Sequence, residues 1–146
     1  MTMDNVKTIN EALAIAGQVT SEQLQQAVQA GFKSVLNLRS PAEPTYWSEE
    51  KAHVEALGLV YANIPTPKVE ELTENDTTQV LQAIDELPKP VLVHCASSLR
   101  VKALTTLYLA VADGLAPEQA CEKAHEFDFD CNTYPQVRQL LSSSLS

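Results

Sequence analysis

The chain is poor in basic residues, in cysteine and in long apolar runs. Ten lysines and arginines stand against nineteen acidic residues, a formal charge of −9 over 146 residues. The basic residues are scattered singly along the chain. A nucleic-acid duplex or an anionic membrane is repelled by most of such a surface, so neither is expected as a partner. A small anion can still be held locally, by backbone amides and one arginine. Three cysteines, Cys95, Cys121 and Cys131, are too few and too oddly numbered for a disulfide framework. With no Cys-x-x-Cys pair, a structural zinc site is not expected either, and no metal or other cofactor is called for. No stretch approaches the roughly 18 apolar residues of a membrane span. The start, Met1-Thr2-Met3-Asp4-Asn5, lacks the basic and apolar segments of a secretion signal, so a cytoplasmic location is expected. Repeats and low-complexity linkers are missing as well; only the serine-rich tail at 142–146 is biased, and it is expected to fray.

What is present is the composition of a folded domain, with 45% hydrophobic and 20% charged residues. The length suits a single domain over 1–146. Extended and helical patterns alternate. Leu13-Ala14-Ile15-Ala16 reads as a strand, and Thr20 with Gln23 three residues on reads as a capping box opening a helix. Gly31 suits the position after that helix. Ser34 to Leu38 is a second strand, broken by Ser40-Pro41-Ala42-Glu43-Pro44. A helix capped by Ser48 and stopped by Gly58 leads to a strand over 59–64. Thr73 opens the next helix, with Val80, Leu81, Ile84 and Leu87 on one side. Val91-Leu92-Val93 is short and wholly apolar, as a buried central strand should be. A helix follows from about Arg100 to Asp113-Gly114, and Pro117 and Pro135 suit the first turns of two more. This order implies an α/β fold with a mainly parallel sheet of about four to five strands and helices on both faces. Ligands of such sheets bind beyond the carboxyl ends of the strands, here the loops after residues 38, 64 and 93.

The third of these loops is the most informative. In His94-Cys95-Ala96-Ser97-Ser98-Leu99-Arg100, a thiol ends a buried strand and an arginine opens the next helix. A short loop turning into a helix can aim several N–H groups at one point, an anion nest strengthened by the helix dipole. The amides of Ala96, Ser97, Ser98 and Leu99 are the expected phosphate binders. The same field favours a thiolate at Cys95, and Arg100 supplies a two-pronged donor for phosphate oxygens. Together they can attack a phosphate ester: the sulfur takes the phosphoryl group, amides and arginine hold its oxygens, and water releases it. Arg39, at the end of another strand, is a candidate for a second anionic group of the substrate.

The His94-Cys95 to Arg100 segment resembles the signature loop of cysteine-dependent protein phosphatases, above all the dual-specificity type. The stretch from Thr20 through Ala30-Gly31-Phe32-Lys33-Ser34-Val35-Leu36-Asn37-Leu38-Arg39 to Gly58-Leu59-Val60-Tyr61-Ala62-Asn63-Ile64-Pro65 is similar to the bacterial beta-lactamase-hydrolase-like phosphatase family. The resemblance covers most of residues 10–115. It implies a dual-specificity-phosphatase-like fold and a phosphorylated protein or small phosphate ester as substrate; some members of the family are fused to metallo-hydrolase domains linked to sulfur metabolism. It also implies a supporting role for His94 beneath the loop, and a general acid on a loop some thirty residues before the cysteine. That loop, 63–68, has no carboxylate. Glu70, Glu71 and Asp76 follow it and are the candidates, with Glu71 and Asp76 preferred, although Glu74 and Asp76 equally suit the first turn of a helix.

Two departures stand out. The usual phosphatase loop has five residues between cysteine and arginine; this one has four, as in the bacterial family, but Ser98 stands where that family usually has glycine. Val101 stands where a serine or threonine commonly helps the sulfur leave. Two other functions are therefore compatible with the loop: a rhodanese-like sulfurtransferase carrying a persulfide on Cys95, and an oxyanion-binding module with impaired turnover. Tyr46 and Trp47 are expected to pack over the sheet or wall the site, Cys121 to lie in the core, and Cys131 to sit in a turn open to solvent.

Overall fold

A computed structural model describes residues 6–143 of the chain. Its centre is a five-stranded sheet in the order β1-β2-β5-β3-β4. The strands are β1 (Val6–Asn10), β2 (Leu13–Ala16), β3 (Ser34–Asn37), β4 (Val60–Asn63) and β5 (Val91–His94). β2, β5, β3 and β4 run parallel, and β1 pairs antiparallel with β2. Six helices complete the fold: α1 (Ser21–Gln29), α2 (Glu50–Ala56), α3 (Glu74–Glu86), α4 (Leu99–Ala112), α5 (Pro117–Ala124) and α6 (Pro135–Ser143). The expected α/β architecture, mainly parallel and covered on both faces, is the one found.

The apolar run of β5 occupies the middle because both its faces are covered. Val91 and Val93 pack into the larger core, formed with α3 to α6, while Leu92 points into the smaller one with Leu24 and Ala27 of α1 and Val54 of α2. Leu13 and Ile15 of β2 divide from Ala14 and Ala16 in the same way, as period-two alternation requires. Thr20 and Gln23 form the expected capping box of α1, and Gly31 and Gly58 take φ of +94° and +85° just beyond the ends of α1 and α2.

Four local expectations change. β1 carries no clear alternation: only Val6 and Ile9 are partly buried, and its register slips between Thr8 and Asn10, so an edge strand hides in a weak pattern. α2 starts after Glu49 with no side-chain cap, rather than from Ser48. Cys131 is buried, not open to solvent. Finally, Cys121 and Cys131 are joined as a disulfide across ten residues, leaving Cys95 as the free thiol. An odd cysteine count did not exclude a single bridge, because the 3-10 turn at Cys131–Thr133 returns the chain to α5.

No helix among the described residues is long and apolar enough to cross a membrane, and no cluster of His, Cys, Asp or Glu among them could hold a metal ion.

Candidate active site

The carboxyl ends of β2, β3, β4 and β5 lie along one edge of the sheet, and the loops leaving them converge there. Parallel register sets this: Asn37 lies beside both His94 and Asn63, and Ala16 lies beside His94. The loop after β5 begins at Cys95, which is fully buried. Its own N–H bonds the Ala16 carbonyl, and the N–H of Gln18 bonds the Ala96 carbonyl at 2.9 Å. Ala96 and Ser97 are exposed.

Ser98 then turns the chain into α4 with φ +74° and ψ −7°, a left-handed conformation. A non-glycine residue held in this conformation costs about 1–2 kcal/mol. The loop keeps the turn without the residue that makes it easy. α4 starts immediately after it with no side-chain cap. The first N–H groups of a helix have no acceptor within it, so those at Leu99 and Arg100 are available at the loop, at the positive end of a fourteen-residue helix.

Arg100 is pinned on one side. Its Nη1 donates to Glu43 Oε2 at 2.8 Å, to the Thr66 carbonyl at 3.0 Å and to the Leu38 carbonyl at 3.3 Å, and its Nη2 donates to Glu43 Oε1 at 3.0 Å. This uses the edge formed by the two terminal nitrogens. Nε has no carboxylate or carbonyl acceptor among the described residues, and Cys95 acts electrostatically to favour the Arg100 charge. Burial works against the Arg100 charge, but Glu43 and Cys95 outweigh it and its pKa rises. Glu43 in turn is drawn down to about 2, chiefly by Arg100, against the opposing effect of burial and with help from the Ser40 N–H and Arg39.

Arg39 does not face the loop's anion position. It is 3% exposed, and its donors are taken by Glu43 Oε1, Gln18 Oε1, the Thr45 carbonyl, the Pro44 carbonyl and Thr45 Oγ1. A guanidinium has five N–H donors, so this set matches them one for one. These bonds tie Arg39 to Gln18 and to the loop 43–45. A cation that does border open space next to the loop is Lys102, which with Lys7, Ser98, Val6, Ile15 and Ala16 lines a cleft of about 220 Å³.

His94 is buried under the loop. Its Nε2 lies 2.5 Å from Glu50 Oε2, and its Nδ1 lies 3.3 Å from the Cys95 carbonyl. Glu50, itself buried, was not singled out in the sequence, and neither were Glu43 and Gln18. Glu43 left a faint signal, a carboxylate four residues after Arg39 in a proline-bounded loop; Glu50 and Gln18 left none.

The two acid candidates are placed differently. Asp76 belongs to the capping box of α3, its Oδ2 accepting from the Thr73 N–H at 3.0 Å and from the Thr73 hydroxyl at 2.9 Å. Glu71 is exposed on the 3-10 turn Val69–Glu71, 3.5 Å from Lys68 Nζ. Tyr46 reaches Asn63 at 3.5 Å, and Trp47 packs on the smaller core with its ring 5.3 Å from that of His53.

A strand-ending thiol, an uncapped helix start and a partly committed arginine thus share the carboxyl edge of the sheet. The chain matches, over residues 5–113, the family described as "Beta-lactamase hydrolase-like protein, phosphatase-like domain", and it belongs to that family. A beta-lactamase hydrolase-like protein of Agrobacterium fabrum is 34% identical over 138 residues, covering 90% of this chain and 31% of that protein; the chain thus spans under a third of the relative's length. Among solved structures, a DUF442 protein of Shewanella putrefaciens aligns with TM-score 0.80 at 24% identity, covering 97% of this chain and 91% of that one. TpbA of P. aeruginosa, bound to pTyr, aligns with TM-score 0.77 at 15% identity over 98% and 88% of the two chains. At these identities the structural likeness establishes the dual-specificity-phosphatase-like fold.

Proposed function

We propose that this chain hydrolyses phosphate monoesters through a phosphocysteine on Cys95. The Cys95 thiolate attacks phosphorus, forming the S–P bond as the P–O bond to the alcohol or phenol breaks. Water then attacks phosphorus, the S–P bond breaks, and inorganic phosphate leaves with the thiolate restored. The loop amides of Ala96, Ser97, Ser98 and Leu99 and the Nε–Nη2 edge of Arg100 hold the three non-reacting oxygens. The observation that carries this reading is the arginine that closes the Cys95 loop: Glu43 and two carbonyls fix Nη1 and Nη2 of Arg100 and leave Nε uncommitted at the start of α4.

The leaving oxygen needs a proton unless it is acidic itself. Asp76 is committed to a helix cap, whereas Glu71 is exposed and loosely paired, so Glu71 is the freer of the two to donate. With Val101 buried in the core where a hydroxyl would assist, breakdown of the phosphocysteine is the slow step. Aryl phosphates, whose phenols leave without much help, are the favoured substrates, either small or as phosphotyrosine in a protein.

The test is hydrolysis of an aryl phosphate by the purified chain, with loss of turnover in Cys95→Ser; turnover that survives this change overturns the mechanism. Thiocyanate formation from thiosulfate and cyanide, assayed alongside, reports the alternative sulfur-transfer chemistry.

A further inference from the structure

We infer that Gln18 is a positioning residue that ties two otherwise separate buried ion networks to the phosphate loop. The inference rests on the phosphatase reading of the Cys95 loop and adds a residue to it. Gln18 sits in the short connection between β2 and α1 and uses both ends of its side chain. Its Nε2 donates to Glu50 Oε1 and to the Val19 carbonyl, each at 3.0 Å, and its Oε1 accepts from Arg39 Nη1 at 2.9 Å. Its backbone N–H holds the Ala96 carbonyl at 2.9 Å, directly after the reactive cysteine.

Each end leads to one half of the chemistry. On one side, Glu50 holds His94, which contacts the Cys95 carbonyl and fixes the end of β5 that carries the sulfur. On the other, Arg39 shares Glu43 with Arg100, the arginine that closes the Cys95 loop. Glu50 and Glu43 belong to different segments and are joined here through Gln18 and Arg39. An amide suits the place because one end must donate to a carboxylate and the other must accept from a guanidinium. A carboxylate there would repel Glu50, and an apolar side chain would strand donors and acceptors on both sides. The distance between sulfur and guanidinium is thus set through Gln18, and phosphate binding depends on that distance.

The test uses Gln18→Met, which keeps the length of the side chain and the backbone bond to Ala96 but neither polar end. Inorganic phosphate binding, aryl phosphate kinetics and thermal unfolding are measured on the same preparations, with active sites counted by Cys95 alkylation. The expected result is phosphate affinity and kcat per active site each reduced about tenfold. A role in folding alone would lower the melting temperature and leave both values per active site unchanged, which would overturn the inference. A second measurement avoids dependence on that variant: a double-mutant cycle of Glu43→Gln and Glu50→Gln, read as phosphate affinity. Coupling through Gln18 makes the double effect differ from the product of the single effects by about threefold or more; a simple product overturns the inference. The two readings separate cleanly. Phosphate binding without turnover, lost in Gln18→Met, removes the phosphatase and keeps the positioning role. Turnover unaffected by Gln18→Met does the reverse, and a chain that binds no phosphate removes both.

Discussion

The loops after β3 and β5 each present an arginine to the same carboxylate, yet the two arginines end in opposite conditions. Arg39 finds an acceptor for every donor within the protein and is sealed at 3% exposure. Arg100 spends Nη1 and Nη2 on Glu43 and two carbonyls and keeps Nε uncommitted among the described residues. The first loop is satisfied and rigid; the second is held just enough to be aimed. Residue type and position at a strand end are therefore poor guides to role. What separates a structural arginine from a reactive one is how many of its donors the fold has already used.

The sharpest way to break this contrast is to replace each arginine with lysine, which keeps the charge and removes the fork. Arg100→Lys is expected to lower kcat/KM for an aryl phosphate by about 100-fold or more, the cost of losing a transition-state donor, with a modest change in melting temperature. Arg39→Lys offers three donors to five acceptors, and each buried group left unpaired costs about 1–3 kcal/mol. It should destabilise the fold by about 2–5 kcal/mol in urea unfolding, while the remaining folded enzyme loses only about tenfold in turnover, as in Gln18→Met, because the loss reaches the loop through Gln18 and Glu43 rather than at the substrate. Equal stability losses with equal residual activity would dissolve the distinction.

Glu43, the shared partner, gives a pH signature. Its carboxyl is lowered from 4.5 to about 2 in the folded protein, so its contribution is complete above pH 4.5 and is lost as the pH falls from there through about 2. By linkage the contribution is at most about 3 kcal/mol and, reduced by solvent screening at this partly exposed pair, about 1–2 kcal/mol. Stability measured by urea from pH 5 down to 2.5 should fall in the native protein. In Glu43→Gln it should start lower and lose less over that range; parallel curves would assign the acid sensitivity to other groups.

The smallest effect concerns the strain in the loop after β5. Ser98→Gly relieves a left-handed serine at φ +74° but adds the backbone entropy of glycine, about 0.5–1 kcal/mol. A net gain of up to about 1 kcal/mol is expected, along with equal or faster aryl phosphate turnover. A destabilised Ser98→Gly would show that the serine side chain contributes more than its conformation costs.

Much of this was legible without coordinates. The short apolar runs of β2, β3 and β5, the Thr20–Gln23 box and the glycines at 31 and 58 are local signals, and each reports a neighbourhood of a few residues. The Cys95-to-Arg100 spacing is local too, so strand, loop and helix start could be read together. β1 was missed because a half-exposed edge strand with a register slip carries little periodicity.

Chain order alone therefore determined the layered fold, the loop that bears the thiol and the helix start behind it, because all of these depend on residues within a turn or two of one another. Tertiary structure decided which groups share that loop: Glu43 meets Arg100 across 57 positions, Glu50 meets His94 across 44, and Gln18 meets Glu50 across 32. Such contacts arise only when parallel strands bring their carboxyl ends to one edge. A lone carboxylate or amide leaves no periodic trace of the partner it will find there.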